Sequence, residues 1–116
     1  MSQDTKGWIG VDLDGTLAHS GEWKGSDHIG EPIPAMVDRV KVWLSEGKDV
    51  RLFTARAFNP SREEIELMAD WCEEHLGRII PITCEKDMYM TALYDDRAIQ
   101  VVKNTGELVG EAHDAI

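Results

Sequence analysis

Residues 8 to 17 read Trp8-Ile9-Gly10-Val11-Asp12-Leu13-Asp14-Gly15-Thr16-Leu17. An apolar segment here drives two carboxylates out of its end. Ionised carboxylates beside apolar neighbours are costly unless they are paired, hydrogen-bonded or metal-bound. A strand repeats every two residues, so Asp12 and Asp14 start on the same side, and Gly15 allows a sharp turn where a side chain would obstruct. Taken alone, the stretch is either a strand ending in an Asp-Gly turn with Asp14 as a cap, or the rim of a site that holds a cation or runs a reaction.

Downstream, residues 18–33 are Gly-rich and polar, with His19, Trp23 and His28 spread through them. A loop of this length without periodicity is expected to act as a lid or flap beside the strand ends. Its two histidines lack the cysteine or third histidine that a zinc site needs. Pro34 then opens a helix at the position where a missing N–H costs nothing, and Met36, Val37, Val40, Trp43 and Leu44 recur at helical spacing up to Gly47. Val50-Arg51-Leu52-Phe53-Thr54 is a second strand. Strand, crossover helix and strand at this length make a βαβ unit, which favours a parallel sheet.

Ser61-Arg62-Glu63-Glu64 has the form of a capping box, with Ser61 as cap and Glu64 reaching back. The helix it opens carries Ile65, Met68, Ala69, Cys72 and Leu76 on one face and stops at Gly77. Residues 78–83 are a third strand, short or at an edge because of Pro81. Residues 85–91 have room for a turn or two only. Ala92-Leu93-Tyr94 is apolar and runs directly into Asp95-Asp96, and residues 99–109 read as a terminal hairpin turning at Asn104-Thr105-Gly106.

The chain has 116 residues, enough for one domain with a continuous core. Its 42% apolar and 29% charged residues are those of a globular protein, with no apolar run long enough to span a bilayer. Residues 1–7 are polar and lack a hydrophobic signal core, and two cysteines, Cys72 and Cys84, fit reduced thiols, so a cytoplasmic protein is expected. A net charge of −10 disfavours nucleic acid and anionic membranes as partners. Converging acids would instead be held together by a divalent cation.

Ligands of parallel α/β sheets bind outside the carboxyl ends of the strands. The polar residues that end the predicted strands are Asp12 and Asp14, Thr54, Lys86 just after the third, and Asp95 with Asp96. This order resembles the haloacid dehalogenase-like (HAD) superfamily, whose four motifs are an Asp-x-Asp-x-Thr loop, a Thr or Ser after the second strand, a Lys, and a terminal acidic pair. Here they stand as Asp12-Leu13-Asp14-Gly15-Thr16, Thr54, Lys86 and Asp95-Asp96, across residues 8–102. The stretch between Thr83 and Ala92 is shorter than the pattern leads one to expect for Lys86.

The resemblance implies an α/β fold, three-layer and Rossmann-like, with a mostly parallel sheet and helices on both faces, in a single domain over residues 1–116. It also implies a Mg²⁺-dependent phosphomonoesterase. Asp12 would attack phosphorus to give an aspartyl-phosphate, and Asp14 would protonate the leaving group and then activate water. Thr54 and Lys86 would bind the phosphoryl oxygens, Lys86 also pairing with Asp12. Mg²⁺ would sit among Asp12, the Asp14 carbonyl and Asp95 or Asp96, and Thr16 would hold the loop shape. Arg56, two residues past Thr54, is either an anion-binding fork or half of an ion pair. Fewer than twenty residues separate Thr16 from Pro34, and about half a dozen separate Thr54 from Ser61, so no large cap is present. The site would then be open to a bulky or macromolecular phosphate, or covered by a second copy of the chain. A phosphotransferase would use the same residues. A receiver-like phosphoacceptor domain would place its acid pair first, whereas here it comes last, and a non-catalytic phosphate-binding protein would keep the fold without the turnover.

Overall fold

A computed structural model describes residues 7–110. Four strands, β1 (Trp8–Val11), β2 (Asp49–Phe53), β3 (Ile82–Thr83) and β4 (Met90–Tyr94), form one sheet in the order β3-β2-β1-β4. Every pairing is parallel. β1 is central, which is why an apolar run and not an alternating one encodes it. As expected, β3 is a two-residue edge strand after Pro81.

Two helices connect the strands, α1 (Pro34–Ser45) and α2 (Arg62–Leu76). α1 begins with Pro34 and buries Met36, Val37, Val40 and Leu44. α2 opens on the predicted capping box: Ser61 Oγ accepts from the Glu64 N–H at 3.1 Å, and Glu64 Oε1 accepts from the Ser61 N–H at 2.8 Å. It ends at Gly77 in the left-handed conformation, φ 88°. Ile65, expected in its apolar face, is exposed, and Trp71 is buried alongside Met68, Cys72 and Leu76.

The class is the expected α/β, Rossmann-like one, but where helices were expected on both faces, those of the described residues lie on one. The path β1→β2→β3 moves in one direction across the sheet, and right-handed crossovers then put both helices on the same side. Accordingly α1 and α2 share one buried cluster with Val11, Val50 and Leu52. Alternation sends Trp8, Gly10, Arg51 and Phe53 to the other face. There the Arg51 guanidinium lies 4.5 Å from the Trp8 ring centroid and Phe53 packs at 6.4 Å. A Cβ on Gly10 would lie 2.5 Å from Met90 Cε and 3.2 Å from the Trp8 ring, so a side chain there would make the flexible end of Met90 move.

The step from β3 to β4 carries no helix. It must pass β2 and β1 and return to the amino end of the sheet, a diagonal of about 20 Å from strand spacing and rise. Seven residue steps from Thr83 to Met90 reach at most about 25 Å. The segment therefore crosses the helix-free face with little excess length and closes in a turn, the Met90 N–H donating to Asp87 O at 3.2 Å, and the Trp8 indole N–H donates to Asp87 Oδ1 at 2.8 Å along the way. The terminal hairpin is present as a single Val101–Leu108 antiparallel bridge. Among the described residues no helix is long and apolar enough to cross a membrane.

Candidate functional site

Asp12 leaves β1 still in register, its N–H donating to Tyr94 O at 2.9 Å. Leu13 then plunges into the core, and its carbonyl accepts from the N–H groups of Thr16, Leu17 and Ala18 at 3.2, 3.0 and 2.9 Å. That tight loop makes the two aspartates diverge. Asp12 faces the end of β4 and Asp14 faces the connector after β2, although both line one crevice. The loop requires Gly15, whose φ is +93° and whose Cβ would sit 2.6 Å from Asp96 Oδ2. Thr16 fixes the loop to the acidic pair. Its hydroxyl shares one proton between Asp12 Oδ2 (3.4 Å) and Asp96 Oδ1 (3.3 Å), and it accepts the Asp96 N–H at 3.1 Å.

Asp12, Asp95 and Asp96 each bring a carboxylate oxygen within 4.8 Å of the other two. Burial, followed by the charge of Asp95 and the hydrogen bond and charge of Asp96, raises the Asp12 pKa from 3.8 to about 7, against an opposing Leu13 backbone hydrogen bond. Such a trio needs either a shared proton or a cation. An all-oxygen, all-anionic donor set suits a hard divalent ion such as Mg²⁺.

Asp14 stands apart from the trio. Arg56 forks it, Nε donating to Oδ2 at 2.7 Å and Nη2 to Oδ1 at 2.9 Å, with side-chain exposures of 11% and 29%. Of the two readings for Arg56, the ion pair is the one the structure contains. The same guanidinium donates to the carbonyls of His28 (2.8 Å) and Ser26 (3.4 Å) and lies 5.1 Å from the Trp23 ring centroid. One side chain thus ties Asp14 to the 18–33 loop. That loop is closed at its base by the Ala18–Pro32 bridge and held from α2 by the Trp71 indole N–H donating to Gly30 O at 3.1 Å.

Thr54 is buried at the end of β2, where its hydroxyl accepts the Arg56 N–H at 3.1 Å. Accepting leaves the Thr54 proton for another acceptor in the crevice it lines. Lys86 is the expected site residue that the structure does not bring in. It is exposed on the short crossing between β3 and β4 and does not line the crevice. Its expected pairing with Asp12 is not formed: among the described residues the ion pairs are those of Arg51, Arg56, Arg62 and His75.

The crevice, about 870 Å³, has residues the sequence reading did not single out, among them Arg97, Phe53, Phe58 and Cys84. Arg97 and Cys84 each sit next to a strand-end residue, which was the available signal. Phe58 had none beyond its place in a short connector. Cys72 and Cys84 are both free, and burial pushes the Cys72 thiol up to about 11.

Compared with known proteins, the sequence matches no family model and no curated protein. A solved structure, that of a conserved protein from Bacteroides thetaiotaomicron, is 23% identical and superposes with a TM-score of 0.56, covering 78% of this chain and 76% of that one. That likeness is one of fold, and it agrees with an α/β domain built on an all-parallel, Rossmann-like sheet.

Proposed function

We propose that the chain is a phosphomonoesterase of the haloacid dehalogenase type, dependent on Mg²⁺ and working through an aspartyl-phosphate on Asp12. The observation that carries the reading is the meeting of Asp12, Asp95 and Asp96 at the carboxyl edge of a parallel sheet, with Asp14 and Thr54 lining the same crevice. Acids that repel one another are brought together where a cation and an anionic substrate are to be handled.

In the first half-reaction an Asp12 oxygen forms a bond to phosphorus while the bond to the ester oxygen breaks, and that oxygen leaves with a proton from Asp14. In the second, Asp14 takes a proton from water as the water oxygen bonds to phosphorus and Asp12 is released. Both Asp14 oxygens accept from Arg56, so donation to the leaving group requires the fork to open at one of them. Thr54 donates its free proton to a phosphoryl oxygen. When bound, Mg²⁺ supplies neutralising charge beside the phosphoryl group, and the carboxylates of Asp12, Asp95 and Asp96 would hold it. Lys86 has no part in this scheme. Two unpaired cysteines suit a reducing cytoplasm.

Phosphate release from a panel of phosphomonoesters with Mg²⁺ tests the reading. The wild type is expected to turn over at least one class of them, EDTA to stop it, and Asp12→Asn to lose at least about a thousandfold while keeping the fold. Turnover that survives Asp12→Asn overturns the nucleophile, and a wild type inert to the whole panel overturns the activity.

A further inference from the structure

A single exposed aromatic side chain needs no explanation. Two on the walls of one crevice beside a site for anion chemistry call for one. Trp23, 65% exposed, stands on the 18–33 loop, and Phe58, 78% exposed, stands on the connector between β2 and α2. Both line the crevice that Asp12, Thr54 and Asp95 also line. Trp23 is held in place: the Arg56 guanidinium lies over its ring at 5.1 Å and is itself forked onto Asp14. The crevice thus carries two exposed aromatic rings together with the carboxylates and the hydroxyl of the candidate site.

We propose that Trp23 and Phe58 bind a flat aromatic ring in the leaving group, which makes the substrate a nucleoside monophosphate. This rests on the phosphomonoesterase reading for the phosphate end, and on the two exposed aromatics for the other. Rings stack on aromatic faces with little regard to their hydrogen-bonding edges, so the wall selects the presence of a base more than its identity. About 870 Å³ accommodates a mononucleotide within the usual range for small-molecule sites. A net charge of −10 opposes a polyanion, so the free mononucleotide is favoured over the phosphorylated end of a long strand.

The test uses the full chain carrying Asp12→Asn, so that ligands persist, and follows tryptophan fluorescence. Trp8 and Trp71 are buried at 1% and 7%, and Trp43 packs on Tyr94 at 5.0 Å, so Trp23 is the emitter open to a ligand in the crevice. Adenosine 5′-monophosphate is expected to quench at concentrations where ribose 5-phosphate does not, and Phe58→Ala to weaken its binding by about 5- to 100-fold. With Asp12 restored, the ratio of kcat/KM for the nucleotide over ribose 5-phosphate is expected to fall by a similar factor in Trp23→Leu and in Phe58→Ala. Equal affinity for the two ligands, variants that leave both readouts unmoved, or tighter binding of a 5′-phosphorylated oligodeoxyadenylate than of the mononucleotide would each overturn the assignment. If no phosphomonoester is turned over, the phosphomonoesterase reading fails on its own, and the quenching comparison still decides whether the wall takes a ring.

Discussion

Replacing Asp12 by Asn should make the metal-free protein more stable while removing its response to Mg²⁺. The wild-type carboxyl is raised from 3.8 to about 7 by burial and by Asp95 and Asp96, so above pH 7 the folded chain holds a charge that its surroundings disfavour. Each pH unit between the two values is worth about 1.4 kcal/mol, which sets a ceiling near 4 kcal/mol. Asp12 is only half-buried, and solvent screening reduces the expected gain to about 1–2 kcal/mol. For a domain of this size that is roughly 4–15 °C in Tm.

The sign follows from proton counting. Between about pH 4 and pH 7 the folded state keeps a proton the unfolded chain has lost, so this group's contribution to stability falls as pH rises through that window. Asn removes that slope, and the Thr16 hydroxyl can still donate to its side-chain oxygen. Mg²⁺ at ten times its dissociation constant should stabilise the wild type by about 1.4 kcal/mol and leave the variant unmoved. Calorimetric melts from pH 4 to 8, in EDTA and in MgCl₂, provide the comparison. A variant that melts below the wild type at pH 7.5 in EDTA, or one that gains as much from Mg²⁺, would refute the account of the trio.

Three other perturbations probe the surroundings. Arg56→Met removes both hydrogen bonds to Asp14 and both to the 18–33 loop, at a cost of about 2–4 kcal/mol, and amide exchange across residues 20–30 should accelerate; unchanged protection there would mean the loop does not depend on the arginine. Gly15→Ala forces a side chain into φ +93° and against Asp96, so it should lower stability by about 1–2 kcal/mol and weaken Mg²⁺ binding as Asp96 is displaced, both readable from melts with and without the ion. Thr54→Val, which keeps shape but loses the hydroxyl, should reduce kcat/KM by about 10- to 100-fold, whereas Lys86→Ala should leave it within about twofold; a large loss in the lysine variant would bring Lys86 back to the crevice.

Much of this architecture was legible because it is local. A capping box, a terminating glycine and a proline before an edge strand act within a few residues, and Ser61, Gly77 and Pro81 behave as their chemistry dictates. The converging acids were legible for a different reason: a parallel sheet sends every strand end to one edge, so Asp12, Thr54 and Asp95-Asp96 could be placed before any distance was known. What stayed hidden depends on relations between elements. That both described helices share one face follows from the strand order, which also fixes how far seven residue steps must reach between β3 and β4. The partner of Arg56 lies 42 positions away, and no local pattern marks it. Trp71 reaches across to the loop carbonyl of Gly30, a role that the apolar periodicity of its helix does not encode.

The short crossing between Thr83 and Met90 has a consequence for how the sequence can vary in length. With a reach of about 25 Å for a span of about 20 Å, it has little more than one residue to spare. Loss of two residues would pull β4 out of register with β1 and drag Asp95 and Asp96 away from Asp12, whereas an added residue would merely bulge into solvent on the helix-free face. This linker therefore works as a ruler whose minimum length is set by the position of two carboxylates at the opposite end of the strand that follows it.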